Sequence, residues 1–184
     1  MDESGCDFEV SCPGILVQSG CGCVCPSGYT QIKGECYDVF STPKLEANIK
    51  GKGITTSFHY AAEDVDIEFK GDTLIVDGYI DHQDPAKSAY IYIRIVDGNG
   101  GQIKSDTSYD LSVGGGLGKD FASHKYPFEV SNEVYSVDTG SIYINDIDAA
   151  DGLLDATFSF SCKTSGGDYR FIDDGWVKTA EKKE

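Results

Sequence analysis

Hydrophobic and polar residues alternate along most of the chain beyond residue 70. In "SAYIYIRIV", residues 88–96, Ile91, Ile93 and Ile95 fall on one face and Tyr90, Tyr92 and Arg94 on the other. That period of two is the mark of a half-buried strand. "TLIVDGYI" (73–80) and "GSIYI" (140–144) read the same way, and "ATFSFSC" (156–162) sets Phe158, Phe160 and Cys162 inward against Thr157, Ser159 and Ser161. "EDVDIE" (63–68) puts Asp64, Asp66 and Glu68 on one solvated face, as an edge strand protected by charge would. Turn residues separate these runs at "KGD" (70–72), "DGNGG" (97–101), "DG" (151–152) and "SGGD" (165–168). Eight to ten short strands without helical periodicity predict a mainly β chain built as an antiparallel β-sandwich, Ig-like or jelly-roll-like. A barrel would give the same pattern. Trp176 falls in the expected final strand and reads as core.

The first 36 residues break this pattern. They hold six of the seven cysteines: Cys6, Cys12, Cys21, Cys23, Cys25 and Cys36. The segment is too short and too rich in glycine to bury a core, so it needs covalent staples or a metal. Structural zinc sites favour two-residue gaps between paired ligands, whereas one residue separates Cys21 from Cys23 and Cys23 from Cys25. A redox Cys-x-x-Cys is absent. The spacing favours three disulfides over zinc. Disulfides persist in oxidising surroundings, so the chain is expected to be exported, with its targeting segment outside this sequence. Asn48, Asn99, Asn132 and Asn145 all lie outside glycosylation sequons, which points to a bacterial source. The expected organisation is a disulfide-rich module over 1–38, a hinge ending at Pro43, a sandwich over 44–178 and a charged tail over 179–184.

Charge then narrows the partners. Thirty-one acidic against 15 basic residues give a net −16, and no basic stripe interrupts it. Nucleic acid is excluded as a partner, because its binding energy comes largely from Lys and Arg releasing counterions. No apolar run is long enough to span a bilayer as a helix.

Few residues suggest chemistry. Cys162, on the Phe158 and Phe160 face, reads as a buried thiol, and His59, His82 and His124 are too scattered to activate it. "GGGLGKD" (114–120) lacks the spacing of a phosphate loop and carries Asp120 where a hydroxyl is required. "NDIDAADG" (145–152) lacks the glycine and glutamate of a calcium loop and reads as a hairpin turn. No carboxylate pair stands in an apolar setting, and no nucleophile elbow or zinc-protease motif occurs. No catalytic residue, metal site or cofactor is expected. The outward Tyr90 and Tyr92, beside Arg94, are the expected contact surface, since tyrosine offers rigid apolar area with a polar tip.

Two resemblances add to this. "CVCPSGY" (23–29), followed by six residues and then Cys36, resembles the second half of an EGF-like module. The resemblance implies the pairs Cys6–Cys21, Cys12–Cys23 and Cys25–Cys36. The hairpin that normally separates the third and fourth cysteines is reduced to Gly22, which removes the positions a calcium-binding variant uses. "VDTGSIYINDID" (137–148), "GLLDATFSF" (152–160) and "GWV" (175–177) resemble the closing hairpin and final strand of an uncharacterised family of Bacteroidetes-type surface lipoproteins. That resemblance, over about 44–178, implies a β-sandwich at the bacterial cell envelope, with the membrane reached only through an N-terminal lipid anchor. Together these readings give a non-catalytic adhesion module for a glycan or an envelope protein, with a structural subunit of an envelope complex as the alternative and a glycan hydrolase behind both.

Overall fold

The computed structural model describes residues 12–20, 22–51, 54–80, 89–97, 101–112, 121–125 and 134–183. They form strands β1 (Val17–Ser19), β2 (Gly22–Val24), β3 (Thr30–Ile32), β4 (Glu35–Gly51), β5 (Ile54–Ala61), β6 (Asp64–Lys70) and β7 (Thr73–Ile80). After these come β8 (Ala89–Val96), β9 (Thr107–Ser112), β10 (Phe121–Lys125), β11 (Tyr135–Asp148), β12 (Leu153–Lys163) and β13 (Tyr169–Lys182). The chain divides into a unit of residues 1–41 with 180–184 and a larger unit of residues 42–179.

The larger unit is an antiparallel β-sandwich. Its strands follow the order β5–β4–β13–β12–β11–β10–β8–β7–β6, and β9 pairs with the later part of β11. The sheet curls until β5 meets β7, where the buried Tyr60 hydroxyl donates to the Gly78 carbonyl at 2.7 Å. Gly78 fits there because a Cβ would stand 3.0 Å from Leu45. Ile91, Ile93 and Ile95 are buried with Leu74, Val76, Ile142, Ile144, Phe158 and Phe160, on the faces their alternation predicts. β6 ends the strand order, and its exposed Asp66 and Glu68 line the outward side of that edge.

Bulges decide which side chains face out. Phe158 pairs with Gly175 but Phe160 pairs with Ile172, so Asp173 and Asp174 together oppose Ser159. The extra residue flips the alternation of β13. Before it Arg170 and Ile172 are buried; after it Gly175 and Val177 are, and Trp176 turns outward. Strict alternation from Ile172 would have buried Trp176, so the expectation of a core tryptophan is corrected by the bulge.

In the smaller unit, Cys12 is bonded to Cys23 and Cys25 to Cys36, the pairs that the EGF-like resemblance implies. Cys6 and Cys21 lie outside the described residues. β1 pairs with β2, and β3 pairs with the first residues of β4. Among the described residues of this unit, few apolar side chains are buried, chiefly Ile32, Cys36, Tyr37 and Ala180, so the bridges carry much of the order of this described part.

Two boundaries differ from expectation. The segment expected as a charged tail is strand as far as Lys182; the Lys183 amide donates to the Cys36 carbonyl at 3.0 Å, and Lys182 Nζ meets Glu35 at 2.6 Å. Pro43, expected to end a regular element, lies inside β4. It sits between the stretch of β4 that pairs with β3 (35–37) and the stretch that pairs with β5 (46–51).

Candidate functional site

β7 and β8 bring the site together. Their register sets Tyr79 opposite Tyr90 and Asp77 opposite Tyr92, and β10 sets Ser123 beside Tyr92. Because the isoleucines of β8 face the core, these side chains all project from the outer face. Asp77, Tyr79, Tyr90, Tyr92 and Ser123 line a shallow depression of about 440 Å³. Tyr90 and Tyr92 are half-buried, and Ser123 is nearly covered. The Tyr79 hydroxyl donates to Asp64 Oδ2 at 2.8 Å, which fixes that ring. Arg94 shares the outer face, opposite Ile75, but is not among the residues lining the depression.

Asp77 is the residue that the strand pattern alone passes over. It lies directly opposite Asp66 on β6. Partial burial raises its carboxyl above the ordinary range, and the charge of Asp66 adds to the shift. The sequence singles out no carboxylate pair; the register sets Asp66 and Asp77 opposite each other, with Asp77 part-buried and Asp66 exposed. Asp77 and Tyr79 face outward on β7 as Tyr90 and Tyr92 do on β8, but only the β7–β8 register makes them neighbours. Burial also raises the Tyr90 phenol; a hydrogen bond with Ser123 pulls the other way and Asp77 adds to the rise. Tyr90 is therefore a neutral hydroxyl at any physiological pH.

The depression can hold a ligand that offers flat C–H faces to the tyrosine rings and hydroxyl donors to the Asp77 carboxylate. Other chemistry-bearing residues lie elsewhere. Cys162 is free and buried, and burial pushes its thiol up to about 12 despite the nearby Arg170. His59 is exposed and pairs with Glu46 at 3.3 Å. His82 and the 114–120 glycine run lie outside the described residues, as does the His124 side chain. Residues 149–152 form the β11–β12 turn, with Asp148 Oδ1 accepting from the Ala150 and Asp151 amides at 3.0 and 3.3 Å. Among the described residues, no three His, Cys, Asp or Glu side chains gather as a metal site.

Compared with known proteins, the chain matches no family model, no curated protein and no solved structure.

Proposed function

We propose that this chain is a non-catalytic binding module of the bacterial cell envelope, exported and lipid-anchored, that holds a glycan at the Asp77–Tyr79–Tyr90–Tyr92 depression. The observation that carries this reading is the convergence of three tyrosines and one half-buried carboxylate on a single open concavity. The rings offer stacking area with little side-chain entropy to lose, and the carboxylate can accept from adjacent sugar hydroxyls. The disulfides are compatible with an extracellular setting and support the export part of the reading. The EGF-like and lipoprotein resemblances belong to the same proposal. A glycan array with the purified protein tests it. Binding to a defined sugar, weakened roughly tenfold or more in Tyr90→Ala/Tyr92→Ala, is the expected result. Binding that ignores both tyrosines would remove the site from the account.

The Asp66–Asp77 pair favours one second reading, hydrolysis of a glycosidic bond by two carboxylates. Asp66 stands exposed and is not among the lining residues, which favours binding over turnover. Release of reducing ends from a bound glycan, abolished by Asp77→Asn, would reverse that preference.

A further inference from the structure

A second outward surface lies on β11, β12 and β13. One row across these strands carries Tyr143, Thr157 and Trp176. They line a concavity of about 370 Å³, together with Ser141, Ser159 and Asp174. Tyr143 is 41% exposed, and its hydroxyl donates to Asp106 at 3.4 Å, which orients the ring. Trp176 faces the same side only because of the bulge at Asp173 and Asp174.

We propose that this row is a separate platform for an uncharged, extended polysaccharide of the β-1,4-linked type. Three observations lead to that occupant. The two rings are two strands apart, about 9–10 Å at ordinary strand spacing. That interval is comparable to the advance of two linked pyranose rings, so alternate sugars of an extended chain would each meet an aromatic face. Between the rings lies Thr157, and Ser141 and Ser159 form the adjoining row, short hydroxyls that keep the surface flat and can bond to sugar hydroxyls. The charges beside Trp176 are already engaged: Lys178 meets Asp155 at 3.1 Å, Lys50 meets Asp173 at 3.1 Å, and Asn48 donates to Asp174 at 3.3 Å. A neutral ligand breaks none of these contacts. An anionic polymer would meet Asp106 beside Tyr143 and the net −16 of the chain.

Trp176 is the only tryptophan of the sequence, so its emission reports on this surface alone. The test titrates the intact protein with linear hexasaccharides of β-1,4-linked glucose and of β-1,4-linked N-acetylglucosamine, with polygalacturonate as the anionic comparison. The expected result is a saturable change in emission with at least one neutral hexasaccharide and none with polygalacturonate. Tyr143→Ala is expected to weaken that binding roughly tenfold without moving the unfolding midpoint. Phe171→Ala, which removes a ring 46% exposed further along β13, is expected to leave it unchanged. Tyr90→Ala/Tyr92→Ala should also leave it unchanged, which separates this platform from the β7–β8 depression. An emission that responds to neither neutral sugar, or a loss in Phe171→Ala as large as in Tyr143→Ala, would overturn the proposal.

Discussion

At the scale of single residues, two glycines and one aspartate carry the sharpest expectations. A Cβ at Gly175 would lie 2.2 Å from the Phe158 ring, and one at Gly140 would lie 2.3 Å from the Phe160 Cβ. Both glycines stand directly opposite those phenylalanines on neighbouring strands. Gly175→Ala and Gly140→Ala should each cost about 1–3 kcal/mol through overpacking, seen as a lower urea midpoint at unchanged slope. Asp77 presents the opposite case. Its carboxyl is raised in the folded chain, so its charged form opposes folding at neutral pH, and that burden lifts as pH falls through its own titration. Asp77→Asn should therefore raise the melting temperature at pH 7, with a gain that shrinks on acidification, while glycan binding is lost. A melting temperature lowered at pH 7 would show that the carboxylate is structural. The Cys162 thiol, buried and raised, should resist alkylation in the native protein and react only on unfolding.

At the scale of elements, the strands were largely legible and their register was not. Alternation places Ile91, Ile93, Ile95, Phe158 and Phe160 inward, as observed. It places Tyr90 and Tyr92 outward, so two of the five residues lining the β7–β8 depression can be read directly. Asp77 and Ser123 cannot be, because their nearness to those tyrosines depends on which strands pair and in what register, and alternation within one strand carries no such information. Bulges hide the rest. The extra residue at Asp173 and Asp174 inverts the side on which Trp176 emerges; the Asp174–Gly175 pair, with Asp174 at φ 50°, is the local signal of it, and alternation alone passes over it. Inserting one alanine between Asp174 and Gly175 would shift the alternation beyond it, setting Trp176 against the core and Val177 against solvent. We expect a loss on the order of 3 kcal/mol, measured by urea denaturation. Stability near that of the parent would mean that the bulge does not fix the register of β13.

At the scale of the whole molecule, the two units differ in what holds them. The sandwich rests on a continuous apolar core, whereas the described residues of the cysteine-rich unit include few buried apolar side chains and both described bridges. Reduction should therefore act unevenly, with about 2–4 kcal/mol lost for each bridge opened. Hydrogen exchange in dithiothreitol should show protection falling in 12–41 and persisting in Ile91–Ile95 and Ile142–Ile144. Equal loss in both would mean that the bridges also sustain the sandwich. The central claim is that the outer face of β7 and β8 is a glycan site, and the most direct measurement is an amide and side-chain NMR titration with the sugar chosen by the array. The largest shifts are expected at Asp77, Tyr79, Tyr90, Tyr92 and Ser123, graded with saturation. Shifts confined to the cysteine-rich unit, or none in β7 and β8 at saturating sugar, would contradict it.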